Sequence, residues 1–255
     1  PDHPAEDYPH SVVNEWFVMR LAGKLGLDVP PVYRCYVPEP IYVVERFDRI
    51  KTEHGWQRLH AIDACQLSGL SRQFKYQQGS VERLAQLANT CRSSAIARIR
   101  LFNWLVFNIL VGNNDAHLKN VSFLVTAGGI QLAPHYDLLS TACYESRAFD
   151  KTAWPERSTL AWPVCGGEHF SGISRQHLLG AGSVLGLAAA TAARVLDKLI
   201  SDIMPMALSL CTEFERENAS LREAHPELAL VLAGELRCVK AIIHTVISEM
   251  VQRLR

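Results

Sequence analysis

The chain is 255 residues long, 48% hydrophobic, and its 26 Lys and Arg balance 26 Asp and Glu. That composition supports a sizeable core in one large domain or two lobes, and a formal charge of zero argues against a basic nucleic-acid face or a membrane-attracting patch. Seven widely spaced cysteines, none in a C-x-x-C pair, fit reduced thiols in a cytosol rather than a disulfide framework or a zinc site. No run of about 18 apolar residues suggests a membrane span, and no signal peptide is visible, so a cytoplasmic location is expected.

Residues 1–10, rich in Pro, His and Asp, are expected to be irregular. Ser11 reads as an N-cap, and helical periodicity then runs through Trp16, Phe17, Met19, Leu21 and Leu25 until Gly26 can end it. The β-branched and aromatic runs 32–37 and 41–47, divided by Pro38-Glu39-Pro40, predict a hairpin. Helices are predicted over 61–68, 80–91 and 94–110. A polar loop, 112–120, leads to strand-like Val121–Val125, a Gly128-Gly129 turn and Ile130–Ala133. The stretch 141–172 reads as irregular, and Ser174–Arg255 as mostly helical, with Ala-rich 187–195 and apolar-periodic 229–251 packing as a bundle. The expected class is α+β, with a partial small β-lobe over 1–50 and a larger helical lobe over 51–255.

The chemistry concentrates in Gly112-Asn-Asn-Asp115-Ala-His117-Leu-Lys119-Asn120 and Pro134-His135-Tyr136-Asp137. Asp115 and Asn120 have the D-x-x-x-x-N spacing by which protein kinases place a base and a Mg²⁺ ligand, and Asp137 follows seventeen residues later as a second acid. Asp115 would orient the attacking hydroxyl, while the Asn120 amide oxygen and Asp137 would hold Mg²⁺ against the phosphates. His117, two residues past Asp115, could neutralise the transferred phosphate or brace the loop; Lys119 could contact phosphate or point to solvent. The same residue types also populate ordinary turns, and Asp137 could cap a helix starting near Leu138.

The string NNDAHLKNVSFL together with PHYDLLS resembles the HipA family of bacterial serine/threonine kinases, the toxins of HipBA-type toxin–antitoxin pairs. Ser11-Val-Val-Asn14-Glu15-Trp-Phe is similar to the family's first core helix, Val43–Arg49 to its hinge strand, and Asp63-Ala-Cys65-Gln66 with Lys75-Tyr76 to the segment beyond the hinge. The resemblance implies a two-lobed protein-kinase-like fold using ATP and Mg²⁺, with Glu45 and Phe47 lining the adenine pocket. The alternatives are a core position for Phe47 and an ion pair from Glu45 to Arg46 or Arg49. Glu15 could partner a nucleotide lysine, or merely favour its helix N-terminus. The resemblance further implies a cognate antitoxin as partner, aminoacyl-tRNA synthetases as the substrate class, and contact with nucleic acid only through the antitoxin. The family's glycine-rich phosphate loop and nucleotide lysine do not occur ahead of the first helix, so the sequence reads as a fragment. A related small-molecule or effector kinase, and a pseudokinase that only binds an antitoxin, are the competing readings.

Overall fold

The structure is a computed structural model that describes residue 2 and residues 7–255. The expectation that the first ten residues are irregular therefore lies partly outside the described residues. Helix α1 (Ser11–Lys24) is entered from His10, which holds a left-handed conformation at φ 59° in the N-cap place assigned above to Ser11. The Asp2 carboxylate, not Ser11, accepts the free Val12 N–H, at 2.8 Å. Gly26, at φ +83°, ends the helix as expected, and the Leu27 N–H returns to the Ala22 carbonyl at 3.0 Å.

Strands β1 (Val32–Tyr36) and β2 (Pro40–Val44) form the expected antiparallel hairpin, with Val32 opposite Val44 and Tyr36 opposite Pro40. The strand stops at Val44, so Glu45–Phe47 lie outside it. A second hairpin, β3 (Arg49–Thr52) and β4 (Gly55–Arg58), follows. Its mostly exposed polar residues carry no apolar alternation that sequence reading could detect. A boundary at residue 50 cuts through β3.

The predicted helix over 61–68 is divided. Ala61 and Ile62 belong to β5 (His60–Asp63), and only α2 (Ala64–Leu67) is helical. The physical reason is a capping box at Asp63: its carboxylate accepts the Gln66 N–H, and the Gln66 side chain accepts the Asp63 N–H, both at 2.9 Å. Upstream of that cap the backbone pairs with β6 (Ser122–Thr126). With β7 (Gly129–Leu132) this makes a three-stranded antiparallel sheet in the order β5-β6-β7. Between its strands run α3 (Val81–Thr90), capped by Ser80, and α4 (Ser94–Leu110).

The stretch 141–172 is not wholly irregular. It holds a short bulged hairpin, β8 (Thr159–Val164) and β9 (Gly167–His169). The remainder is helical as expected: α5 (Arg175–Val184), the 36-residue α6 (Ala189–Ala224), α7 (Ala229–Ala241), a π-helical segment over 242–247, and α8 (Ser248–Leu254). Helix α6 packs against α1, α4, α5 and α7. Helix α1 is buried around most of its circumference and packs on β1, β2, α6 and α7, so it joins the N-terminal hairpin and the C-terminal helices in one core.

A buried polar network fastens that junction. The Arg34 guanidinium donates to Glu235 Oε2 and to Asn218 Oδ1, each at 2.8 Å, and the Tyr36 hydroxyl donates to the same Glu235 oxygen at 2.6 Å. The Arg34 side chain is 4% exposed and that of Glu235 1%. The Phe214 ring lies 4.4 Å from the guanidinium carbon and that of Trp16 5.0 Å. Burial pushes the Glu235 carboxyl up against the pull of Arg34 and Tyr36.

Removing one member of such a pair strands the other charge in the interior. Glu235→Ala is expected to destabilise the protein by about 3–5 kcal/mol, while Arg34→Met with Glu235→Leu should recover most of that loss. Urea denaturation of the two variants beside wild type measures both.

Candidate active site

The loop after α4 is shaped by its own polar side chains. Gly112 turns the chain at φ +65°, and a Cβ there would stand 2.6 Å from that of Ala142. Asn108 Nδ2 donates back to the Trp104 carbonyl at 2.8 Å, and its Oδ1 accepts from Asn113 Nδ2 at 2.7 Å. Asn113 Oδ1 in turn accepts the Asp115 N–H at 3.0 Å. Thr141 Oγ1 accepts the Asn114 N–H at 2.8 Å and donates to the Gly112 carbonyl at 3.0 Å. Asp115 is thereby presented from a braced turn whose other side is the segment following Asp137.

Asp115, Asn120 and Asp137 converge. The Asn120 amide N–H donates to the Asp115 carbonyl at 3.1 Å and also serves the Asp137 carboxylate. Its Oδ1 has no donor among the described residues. Asp137 sits at φ 58° and no helix begins at Leu138, so the capping alternative is ruled out. Burial, with Asp115 adding to it, pushes the Asp137 carboxyl up; Lys75 and Asn120 pull it back.

Glu15 joins this group from α1. Burial and then the Asp137 carboxylate push it up to about 8, and the buried Tyr42 hydroxyl, which has no well-formed hydrogen bond, lies beside it. Glu15 therefore does more than favour a helix N-terminus. Next to it in sequence, Asn14 is fully buried. Its Nδ2 donates to the Ser140 carbonyl and its Oδ1 accepts the Ser140 N–H, both at 2.8 Å.

His117 is buried, with Nε2 3.8 Å from Asp115 Oδ1 and its ring edge-on to Tyr76. Burial chiefly drives its pKa down, against the pull of the Asp115 carboxylate, and so favours the neutral imidazole. Lys75 is the cation whose charge acts on both Asp137 and His117. The Lys119 side chain is partly exposed, and its ammonium is bound at 2.5 Å to Asp63, the cap of α2. His135 is buried against Trp104 and pushed down to about 3 by that burial, a neutral packing residue.

Glu45 and Phe47 line a cleft of about 350 Å³ together with Pro30, Arg58, Ala61 and Tyr136. Phe47 stacks on Tyr136, ring centres 5.7 Å apart, and is cleft wall rather than plain core. Neither its N–H nor its C=O is engaged by a described residue. Glu45 accepts from the Tyr33 hydroxyl at 2.5 Å, while Arg46 and Arg49 both pair with Asp48 instead. The Tyr136 hydroxyl donates to the Lys119 carbonyl at 2.6 Å, which ties the cleft wall to the loop.

The sequence pattern of the HipA-like C-terminal domain matches residues 2–207, most of the chain. The protein belongs to that family. The serine/threonine-protein kinase toxin HipA of Shewanella oneidensis is 39% identical over 157 residues, covering 55% of this chain and 36% of that protein. A Sinorhizobium fredii protein named as a kinase, Y4mE, is 40% identical over 147 residues, covering 55% of this chain and 35% of its own. The chain thus spans little more than a third of these relatives. In structure this HipA-like chain matches one from the Shewanella oneidensis complex of HipA, HipB and operator DNA, at a TM-score of 0.72 and 28% identity, over 94% of this chain and 57% of that one. The Helicobacter pylori proinflammatory kinase CtkA shares the fold alone, at a TM-score of 0.56 and 13% identity over 98% of this chain and 85% of its own. The architecture is a two-lobed protein-kinase-like α+β fold.

Among the described residues no three His, Cys, Asp or Glu side chains form a metal cage. Mg²⁺ needs no such cage, since it takes one or two protein oxygens plus phosphates and waters. The crowded Asp137 carboxyl and the uncommitted Asn120 oxygen are donors of that kind. Sequence reading missed Tyr76 and Lys75 as members of the site; only their place in a resembling segment marked them.

Glu15 supplies a pH test. An unfolded glutamate ionises near 4.5 and the folded one near 8, so over that interval the folded state holds the extra proton and stability falls as pH rises. In chelator-treated protein, Glu15→Gln is expected to gain on wild type across pH 4.5–8, by at most about 1.4 kcal/mol per pH unit, and to match it below pH 4. Thermal denaturation against pH reads this.

Proposed function

We propose that the protein is an ATP- and Mg²⁺-dependent kinase acting on serine or threonine hydroxyls of a protein. The observation that carries this is the convergence of Asp115, Asn120 and Asp137 beside the Phe47–Tyr136 cleft. Asp115, half-exposed, accepts the hydrogen bond of the incoming hydroxyl and aligns it for in-line attack. Asn120 Oδ1 and Asp137 would hold the metal. When bound, Mg²⁺ neutralises charge on the phosphate oxygens. The free N–H and C=O of Phe47 suit an adenine edge, and its ring and that of Tyr136 offer an apolar wall. The names of the family's kinases support phosphoryl transfer as the reaction class.

Asp115→Asn is close to isosteric in a polar loop, so the fold should persist. Transfer from radiolabelled ATP by the full-length protein should fall by about 10²–10⁴-fold. Retained transfer removes Asp115 from this role.

The proposal extends to the biology that the relatives suggest: a growth-inhibiting toxin restrained by a cognate antitoxin, with an aminoacyl-tRNA synthetase as substrate and DNA reached only through the antitoxin. The complex of HipA with HipB and operator DNA supports a partner of that kind. Full-length protein expressed without its antitoxin should then arrest growth, and Asp115→Asn and Asp137→Asn should each relieve the arrest at matched expression. Undiminished arrest by both variants would instead favour a pseudokinase that works by binding alone.

A further inference from the structure

Asp115 is already engaged. The Tyr76 hydroxyl donates to Asp115 Oδ1, which is the bond a phosphate-accepting hydroxyl must make to the same carboxylate. Tyr76 is not a core residue that happens to pass by: it is 37% exposed and the Asp115 side chain 39%. Its ring meets the His117 ring edge-on at 5.1 Å, and the Lys75 ammonium lies 4.8 Å from its centre. The backbone beneath is stitched to the catalytic loop, because the Leu118 N–H donates to the Lys75 carbonyl at 3.2 Å. The segment therefore stays in place while the side chain, facing solvent, can rotate about χ1. Burial, and then the bond to Asp115, push the phenol up, so Tyr76 remains a hydrogen-bond donor at neutral pH.

From this geometry we infer that Tyr76 guards the acceptor site: its hydroxyl occupies the place of the substrate hydroxyl on Asp115 and must yield it before transfer can occur. This rests on the kinase reading of Asp115 given above. Two hydroxyls compete for one carboxylate oxygen. The guard thus weakens acceptor binding without taking part in the chemical step, and it keeps water from the one Asp115 oxygen it occupies when no acceptor is present.

The test compares full-length wild type with Tyr76→Phe, which keeps the ring and removes the competing donor. Casein serves as the protein acceptor and water as the other, with radiolabelled ATP. Loss of one competing hydrogen bond at a partly exposed site should lower the KM for casein by about three- to tenfold, with kcat within about twofold. Hydrolysis of ATP without casein should rise. An unchanged KM and unchanged hydrolysis overturn the inference. A kcat reduced tenfold or more also overturns it, since Tyr76 would then be positioning Asp115. Phosphate found on Tyr76 itself by mass spectrometry overturns it too, because the residue would be an acceptor. A wild type that transfers phosphate to neither casein nor water defeats the kinase reading and this one together, whereas transfer unaffected by Tyr76→Phe defeats only the second.

Discussion

The site depends on one buried amide. Asn14, in the middle of the core, exchanges two hydrogen bonds with the backbone of Ser140, 126 residues away. Without Asn14 the Ser140 N–H would be buried without a partner, at a cost of about 1–3 kcal/mol, whereas the Ser140 carbonyl also accepts from Cys143 Sγ at 3.1 Å. The clamp fixes the segment after Asp137 to α1. From there Thr141 reaches the catalytic loop through its bonds to Gly112 and Asn114. The acid that would bind metal, the acid that would meet the hydroxyl, and Glu15 are thereby referred to one helix. Gly112 belongs to the same constraint, because Ala142 leaves no room for a Cβ there.

With position settled, the electrostatics follow from crowding. Glu15, Asp137 and Asp115 are drawn within range of one another, and the first two are pushed up mainly by burial. Lys119, adjacent to Asn120 in sequence, is spent on Asp63. Among the described residues only Lys75 lends positive charge to Asp137. A divalent cation with its nucleotide phosphates would relieve that arrangement, which otherwise stores unfavourable charge in a half-buried cleft. In the Arg34–Glu235 network the two charges are paired at 2.8 Å, although Glu235 Oε1 and Asn218 Nδ2 have no hydrogen-bond partner among the described residues, and the result is a fastener between the first hairpin and the last helices.

The three chemical residues were legible because their roles demand fixed residue types at fixed spacing on one local stretch. Asp115, Asn120 and Asp137 are separated by a loop and a hairpin, and a hairpin returns its ends to each other whatever the rest of the chain does. The long helices were legible too, from apolar periodicity and caps. The β3–β4 hairpin was not, because exposed polar strands lack alternation, and β5 was hidden in an apparent helix because its strand character comes from pairing with β6.

What the sequence by itself determined is therefore local: the reactive loop, the order of its acids, and the helices that bury a continuous apolar face. What only the tertiary structure decided is who meets whom across the chain. Tyr76 reaches Asp115 over 39 positions, Lys119 reaches Asp63 over 56, and Asn14 reaches Ser140 over 126. Burial lowers the pKa of His117, and no neighbouring residue in the sequence announces that burial. A side chain's partner and its charge state are set by what packs around it, and in this protein the packing comes from segments far away in sequence.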